Sequence, residues 1–321
     1  MIFLFPYVVL FSFFLFLRLL LAISCSRWLM IWIFLELNIL IVVPLMVFGK
    51  KVEETESRIK YFFAQVIGRI MILLGAFGIK SEFFFVLGIL IKLGVVPLHF
   101  WVPSVLSGLS WDLCFVLLTF QKLPLLVLLL YLDRSWFELL VLVRVLSAVL
   151  GGIMGMNQTY LRALLAYSSI RHIGWLVALS VISRVFMWFY FFIYCIIILG
   201  VINYLKKFGS ISFVRKFWGP WSIGLILFLF SLGGLPPFSG FASKLIALLC
   251  LREVSMVWGF FLIIGSLFGL YYYLCLAFFF IYQDVRFPCL EVKGIGMFDS
   301  LILLRRRGLF FFLILLAYSF S

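Results

Sequence analysis

The sequence predicts an all-α, polytopic membrane helix bundle of about eleven transmembrane helices, and three observations carry that expectation. The 321 residues are 66% hydrophobic and 20% aromatic. Only 12% are charged, where an ordinary globular chain has about a quarter. The apolar residues also come in runs of roughly twenty, the length of helix that crosses a hydrocarbon core of about 30 Å. A soluble fold is excluded, because too few polar residues remain to face water.

The runs lie between charge or turn signals, at residues 2–23, 28–48, 61–79, 83–101, 111–132 and 137–156. They continue at 161–183, 185–205, 221–251 and 257–282, with a short tail at 308–321. The first run starts without a basic leader or a small-residue cleavage site, so it reads as a retained span. The tail is short: its apolar residues make roughly 21 Å of helix, and Arg305, Arg306 and Arg307 must snorkel at its inner end. The longer links, 50–60, 206–219 and 283–307, leave no room for a soluble domain, so the chain is a single integral membrane domain.

Two spans carry their own interruptions. The run 221–251 is too long for one straight helix and contains SLGGLPPFSG at its centre. The fourth span holds Gly94 and Pro97 within GILIKLGVVPLHFW. Proline removes a donor and clashes with the preceding turn, so both spans should be broken helices. With a five-helix repeat unit the fourth and ninth spans correspond, and paired broken helices are a sequence pointer to transporters built from repeats.

The net charge of +14 does not indicate a nucleic-acid partner, because the bases form no aromatic-interleaved basic face and most sit between apolar runs. They orient the bundle instead, since Lys and Arg of short loops stay on the inner side. Links after even-numbered spans carry Lys50, Lys51, Arg58, Lys60, Arg162, Lys206, Lys207, Arg215, Lys216, Arg286, Lys293 and Arg305 to Arg307. Links after odd-numbered spans carry only Arg27, Lys80, Arg134, Arg184 and Arg252, so the N-terminus is expected on the cytoplasmic or matrix side.

Charges inside the spans are the most informative residues, because each costs about 2.5–3.5 kcal/mol at a helix centre. Glu36 is the one acid in mid-span, and the bases within spans are Arg18, Arg69, Lys92, Lys122, Arg144, Arg171 and Lys244. A desolvated lysine gives up its proton readily, whereas arginine stays charged. Glu36, Lys92, Lys122 and Lys244 therefore look like a proton relay, with lipid-facing anchors or static ion pairs as the plainer reading of any one alone. His99 and His172, the two histidines, could serve the same axis or form a single bis-His haem site. The six cysteines are scattered, with no metal-binding spacing, so no metal or cofactor is expected in this chain. Gly151, Gly152 and Gly155 read as close helix packing rather than as a phosphate cradle. Aromatics are too abundant for any stripe of them to be informative.

Several segments taken together carry a resemblance: WIFLELNIL (32–40), IKLGVVPLHFWVPSVLSGLSW (91–111), LLTFQKLPLL (117–126), GGIMGMNQTYLRALLAYSSIRHIGW (151–175) and FSLGGLPPFSGFASK (230–244). In this order and spacing they resemble subunit 2 of NADH dehydrogenase (ubiquinone), an antiporter-like membrane subunit of mitochondrial respiratory complex I, over residues from about Arg27 to Lys244. The resemblance implies two inverted five-helix repeats, residues 1–135 and 136–285, with discontinuous fourth and ninth helices and a C-terminal short helix at 286–321. It implies proton translocation across the mitochondrial inner membrane with the N-terminus on the matrix side. The driving chemistry, NADH oxidation and ubiquinone reduction through FMN and iron–sulfur clusters, would then lie in other subunits. The implied partners are other complex I membrane subunits, including neighbouring antiporter-like ones, and the lipid bilayer.

Residue by residue, Glu36 matches the acid of the second span and Lys92 its partner lysine. Lys122 matches the central lysine and Lys244 that of the second broken helix, while His172 and His99 are similar to polar residues of the hydrated axis. Arg69, Arg144 and Arg171 depart from the pattern, and Ala163 stands where a basic residue is usual. A free-standing cation/proton antiporter of the same fold is the alternative. A haem- or quinone-binding anchor and a purely structural bundle are further readings.

Overall fold

The computed structural model describes residues 10, 13–15, 17, 21, 28–47, 52–77, 81–132, 136–209, 220–252 and 256–285. The tail at 308–321, its three arginines and Arg18 lie outside the described residues, as does most of the first span, whose described residues are helical. In chain order the helices are α1 (Trp28–Val47), α2 (Val52–Phe77), α3 (Ser81–Leu93), α4 (Trp101–Gly108), α5 (Trp111–Leu118) and α6 (Lys122–Leu130). They continue as α7 (Phe137–Met156), α8 (Leu161–Ile182), α9 (Arg184–Gly209), α10 (Pro220–Gly233), α11 (Ser239–Arg252) and α12 (Met256–Val285). Among the described residues there is no strand. Among the described residues, six helical segments are long and apolar enough to cross a membrane: Glu54–Ala76, Trp111–Leu129, Glu138–Met156, Leu161–Ile182, Arg184–Lys206 and Met256–Phe278. The chain is therefore a polytopic membrane helix bundle.

Both expected breaks are present and are built alike. At the first, the N–H groups of Gly94 and Val95 both reach Leu90 O, at 3.1 and 3.2 Å. At the second, Gly234 and Leu235 both reach Phe230 O, at 2.9 and 3.3 Å. These are paired end-of-helix bonds around a residue in the left-handed region. Gly94 has φ +68° and Gly234 φ +81°, a conformation glycine adopts without the clash a β-carbon would bring. A proline follows three residues later each time, Pro97 and Pro237, so neither helix resumes at once.

Two elements differ from the sequence expectation. The span 111–132 reads as continuous but divides into α5 and α6 around Thr119, Phe120 and Gln121. Pro124 cannot donate to Phe120 O and its ring crowds that carbonyl, while Gln121 N–H bonds Val116 O at 3.1 Å, five residues back. The second difference is α2, which begins at Val52, so the charged link 50–60 is largely helix. Its acids Glu54 and Glu56 sit toward the positive N-terminal end of the helix, and Lys60 pairs with Glu56 one turn away at 2.6 Å.

Helix α8 is central and α2 peripheral: 78% of the most apolar stretch of α8 is buried, against 28% for α2. Small residues let the backbones close up, as expected for Gly151, Gly152 and Gly155. A β-carbon on Gly151 would stand 2.9 Å from the Arg171 backbone of α8, and one on Gly152 2.8 Å from Gly265 O of α12. Ser168, Ser169, Arg171 and His172, in the middle of α8, are consequently buried inside the bundle.

Candidate functional site

Glu36 sits midway along α1 and pairs with Arg69 of α2. Both side chains keep some exposure, 32% and 16%. Arg69, a departure from the family pattern, thus has a structural partner in the one mid-span acid. Lys92 occupies the last turn of α3, just before the first break, and is 4% exposed. A half-helix C-terminus presents free carbonyls and partial negative charge, an environment that favours a cation. Gly68 of α2 makes room for the lysine stem, since a β-carbon there would approach Lys92 Cγ to 2.7 Å.

Lys122 opens α6 at the unanticipated break and is 6% exposed. Its ammonium lies 3.4 Å from the hydroxyl of Tyr194 on α9 and 5.1 Å from the centroid of that ring. The His172 ring stands 5.0 Å from the Tyr194 ring, and its Nδ1 is 2.8 Å from the Tyr190 hydroxyl. Tyr194 therefore stands between the central lysine and the histidine. Lys92 and Lys122 line one cavity of about 30 Å³, together with Asn38, Gln65, Gln121 and Ser169.

Lys244 lies beyond the second break, on α11, and donates to Gly233 O at 2.7 Å, capping the C-terminal end of α10. The two broken spans therefore hold their lysines on opposite sides of their breaks. Each lysine is nevertheless placed at the end of the first half-helix, Lys92 within its last turn and Lys244 through its bond to Gly233 O.

Arg171 is fully buried and lies over the rings of Tyr272 and Tyr273, at 5.4 and 5.5 Å. It fits because Gly269 of α12 has no side chain: a β-carbon there would overlap the guanidinium. Arg144 of α7 is also fully buried. His99, in the first break, faces Pro97 O through Nδ1 and the Met154 sulfur through Nε2, at 3.2 and 3.3 Å, and neither partner is a relay lysine. The structure thus groups Lys92 with Lys122 and Lys122 with His172, and sets His99 and the Glu36–Arg69 pair on other contacts.

Residues 78–269 match the family model described as NADH:quinone oxidoreductase/Mrp antiporter, TM. NADH-ubiquinone oxidoreductase chain 2 of Lumbricus terrestris is 37% identical over 273 residues, 79% of this chain and 81% of that one. The chain belongs to the NADH-ubiquinone oxidoreductase chain 2 family. Another member, from Myxine glutinosa, is 36% identical over 276 residues, 79% of each chain. The fold is shared with a chain of respiratory complex I from Thermus thermophilus, at TM-score 0.75 and 20% identity, covering 95% of this chain and 77% of that one. A chain of the Mrp complex from Dietzia sp. gives TM-score 0.72 at 15% identity, covering 87% and 64%. Within this family the chain is an antiporter-like membrane subunit.

Proposed function

We propose that the chain is a core membrane subunit of respiratory complex I that translocates protons across the mitochondrial inner membrane, with the N-terminus on the matrix side. NADH oxidation and ubiquinone reduction, with the FMN and iron–sulfur clusters they need, take place in other subunits. The relatives' naming as NADH-ubiquinone oxidoreductase chain 2 supports this reading over a free-standing antiporter. Its partners are other complex I membrane subunits, neighbouring antiporter-like subunits among them. Two inverted five-helix repeats, 1–135 and 136–285, followed by a short helix in 286–321, organise about eleven spans; the matching hydrogen bonds at Gly94 and Gly234 support the correspondence of the fourth and ninth.

One observation carries the mechanism: Lys122 is buried between the cavity it shares with Lys92 and the Tyr194–His172 contact. A proton on Lys92 passes to Lys122, and from there past Tyr194 and His172 to Lys244. Glu36 sets the field at the entrance. While it is ionised it stabilises nearby positive charge, and when it is neutralised Lys92 holds its proton less tightly. Arg69 competes for the same carboxylate. A change of one pKa unit corresponds to about 1.36 kcal/mol, and moving a charge against 100 mV needs about 2.3 kcal/mol, so swings of two or three units suffice for uphill transfer. In the reconstituted complex, Lys122→Met should lose most proton pumping, and an unchanged ratio of protons to electrons would refute the relay.

A further inference from the structure

The cavity between Lys92 and Lys122 contains a polar pair that the relay itself does not use. Asn38 of α1 and Gln121, at the α5–α6 break, both line it and are 5% and 8% exposed. Asn38 Nδ2 donates to Gln121 Oε1 across the two elements. Asn38 Oδ1 and Gln121 Nε2 then make no hydrogen bond to protein. Turning both amides end for end exchanges the roles but still leaves one acceptor and one donor. Buried amide groups seek partners, and a water needs two to four polar neighbours and about 10–15 Å³ of such space. The cavity of about 30 Å³ satisfies both conditions.

Position in the chain makes the pair more than a water site. Gln121 directly precedes Lys122, and its own N–H forms the five-residue bond to Val116 O that opens the break. Asn38 lies two residues beyond Glu36 on α1. We propose that Asn38 and Gln121 are positioning residues: their amide pair holds a water between Lys92 and Lys122, and ties the helix that carries Glu36 to the break that carries Lys122. The inference rests on the relay reading of the lysines given above. A neutral amide neither gives nor takes a proton near pH 7, so the water does the passing. It donates to one amide oxygen and accepts from the other amide's nitrogen. It takes a proton from the ammonium of one lysine as it yields another to the neutral amine of the other, so no charge is left on the water.

The test uses the assembled complex in proteoliposomes, with the rate of coupled proton pumping as the readout. Asn38→Leu and Gln121→Leu are each expected to slow coupled pumping about tenfold, the scale of one lost hydrogen bond. The exchange N38Q/Q121N, which keeps both amides and their combined length, is expected to recover most of it. Full pumping by either leucine variant, or an exchange variant no better than they are, overturns the proposal. Lys122→Met separates the two ideas: normal pumping there removes the relay itself, whereas its loss beside normal leucine variants removes only the amide pair. A map of the unaltered complex that resolves waters tests the same point without any variant. An ordered water within hydrogen-bond reach of both amides is expected, and a map without one there overturns the proposal.

Discussion

The Lys122 ammonium faces the Tyr194 hydroxyl at 3.4 Å, with its charge 5.1 Å from the centre of the same ring. A neutral phenol holds a buried ammonium more weakly than a carboxylate would, which suits the proton release proposed for Lys122. Tyr194 also touches the His172 ring, so one side chain contacts both members of the central step. Tyr194→Phe keeps the ring and removes the hydroxyl. It is expected to slow coupled proton pumping about fivefold, the scale of one neutral hydrogen bond, with assembly intact. Pumping in proteoliposomes checks this, and an unchanged rate would leave Tyr194 as packing alone.

The second break depends on a backbone conformation. Gly234 has φ +81°, and a β-carbon there would stand 2.7 Å from Lys244 Nζ. Gly234→Ala therefore combines a left-handed penalty of about 1–2 kcal/mol with displacement of the ammonium from Gly233 O. A lower unfolding midpoint and a loss of pumping larger than that destabilisation explains are the expected outcome. Thermal unfolding of the assembled complex, measured beside its pumping, reads both.

Arg171 and Gly269 are complementary in shape, because the guanidinium occupies the space a side chain at 269 would take. Gly269→Ala alone should destabilise the complex by about 1–3 kcal/mol through overpacking. In an Arg171→Ser background the same change should cost little, since the obstacle is gone. A double-mutant cycle on thermal stability measures the coupling, and additive effects would contradict the packing. Arg171→Met, which keeps the volume without the charge, is expected to raise stability, since uncharged replacements of buried ionic groups often gain about 1–4 kcal/mol.

The polytopic helix bundle was legible because apolar runs between charges have a length the bilayer dictates, and two breaks were legible because Gly and Pro coincide there. The break at residues 119–121 was not, because Pro124 stands alone within a continuous apolar run and no glycine accompanies it. The start of α2 was hidden for the opposite reason: Glu54, Glu56 and Lys60 look like a polar link but stabilise a helix end. Lys92, Lys122, Lys244 and His172 stood out as charge or titratable groups in apolar surroundings. Tyr194, Tyr190, Asn38 and Gln121 did not, since uncharged polar and aromatic residues are common in this chain and only tertiary packing brings them to the lysines. The partners of Arg171 had one faint signal, the run of three tyrosines at 271–273.

The proposed relay requires that Lys122 give up its proton during turnover rather than merely supply a positive charge. Lys122→Arg separates the two, because arginine keeps the charge at every relevant pH and cannot release a proton. In proteoliposomes of the assembled complex, measured as protons moved per electron, the arginine variant is expected to pump as poorly as Lys122→Met. A full proton-to-electron ratio with arginine at this position would contradict the account.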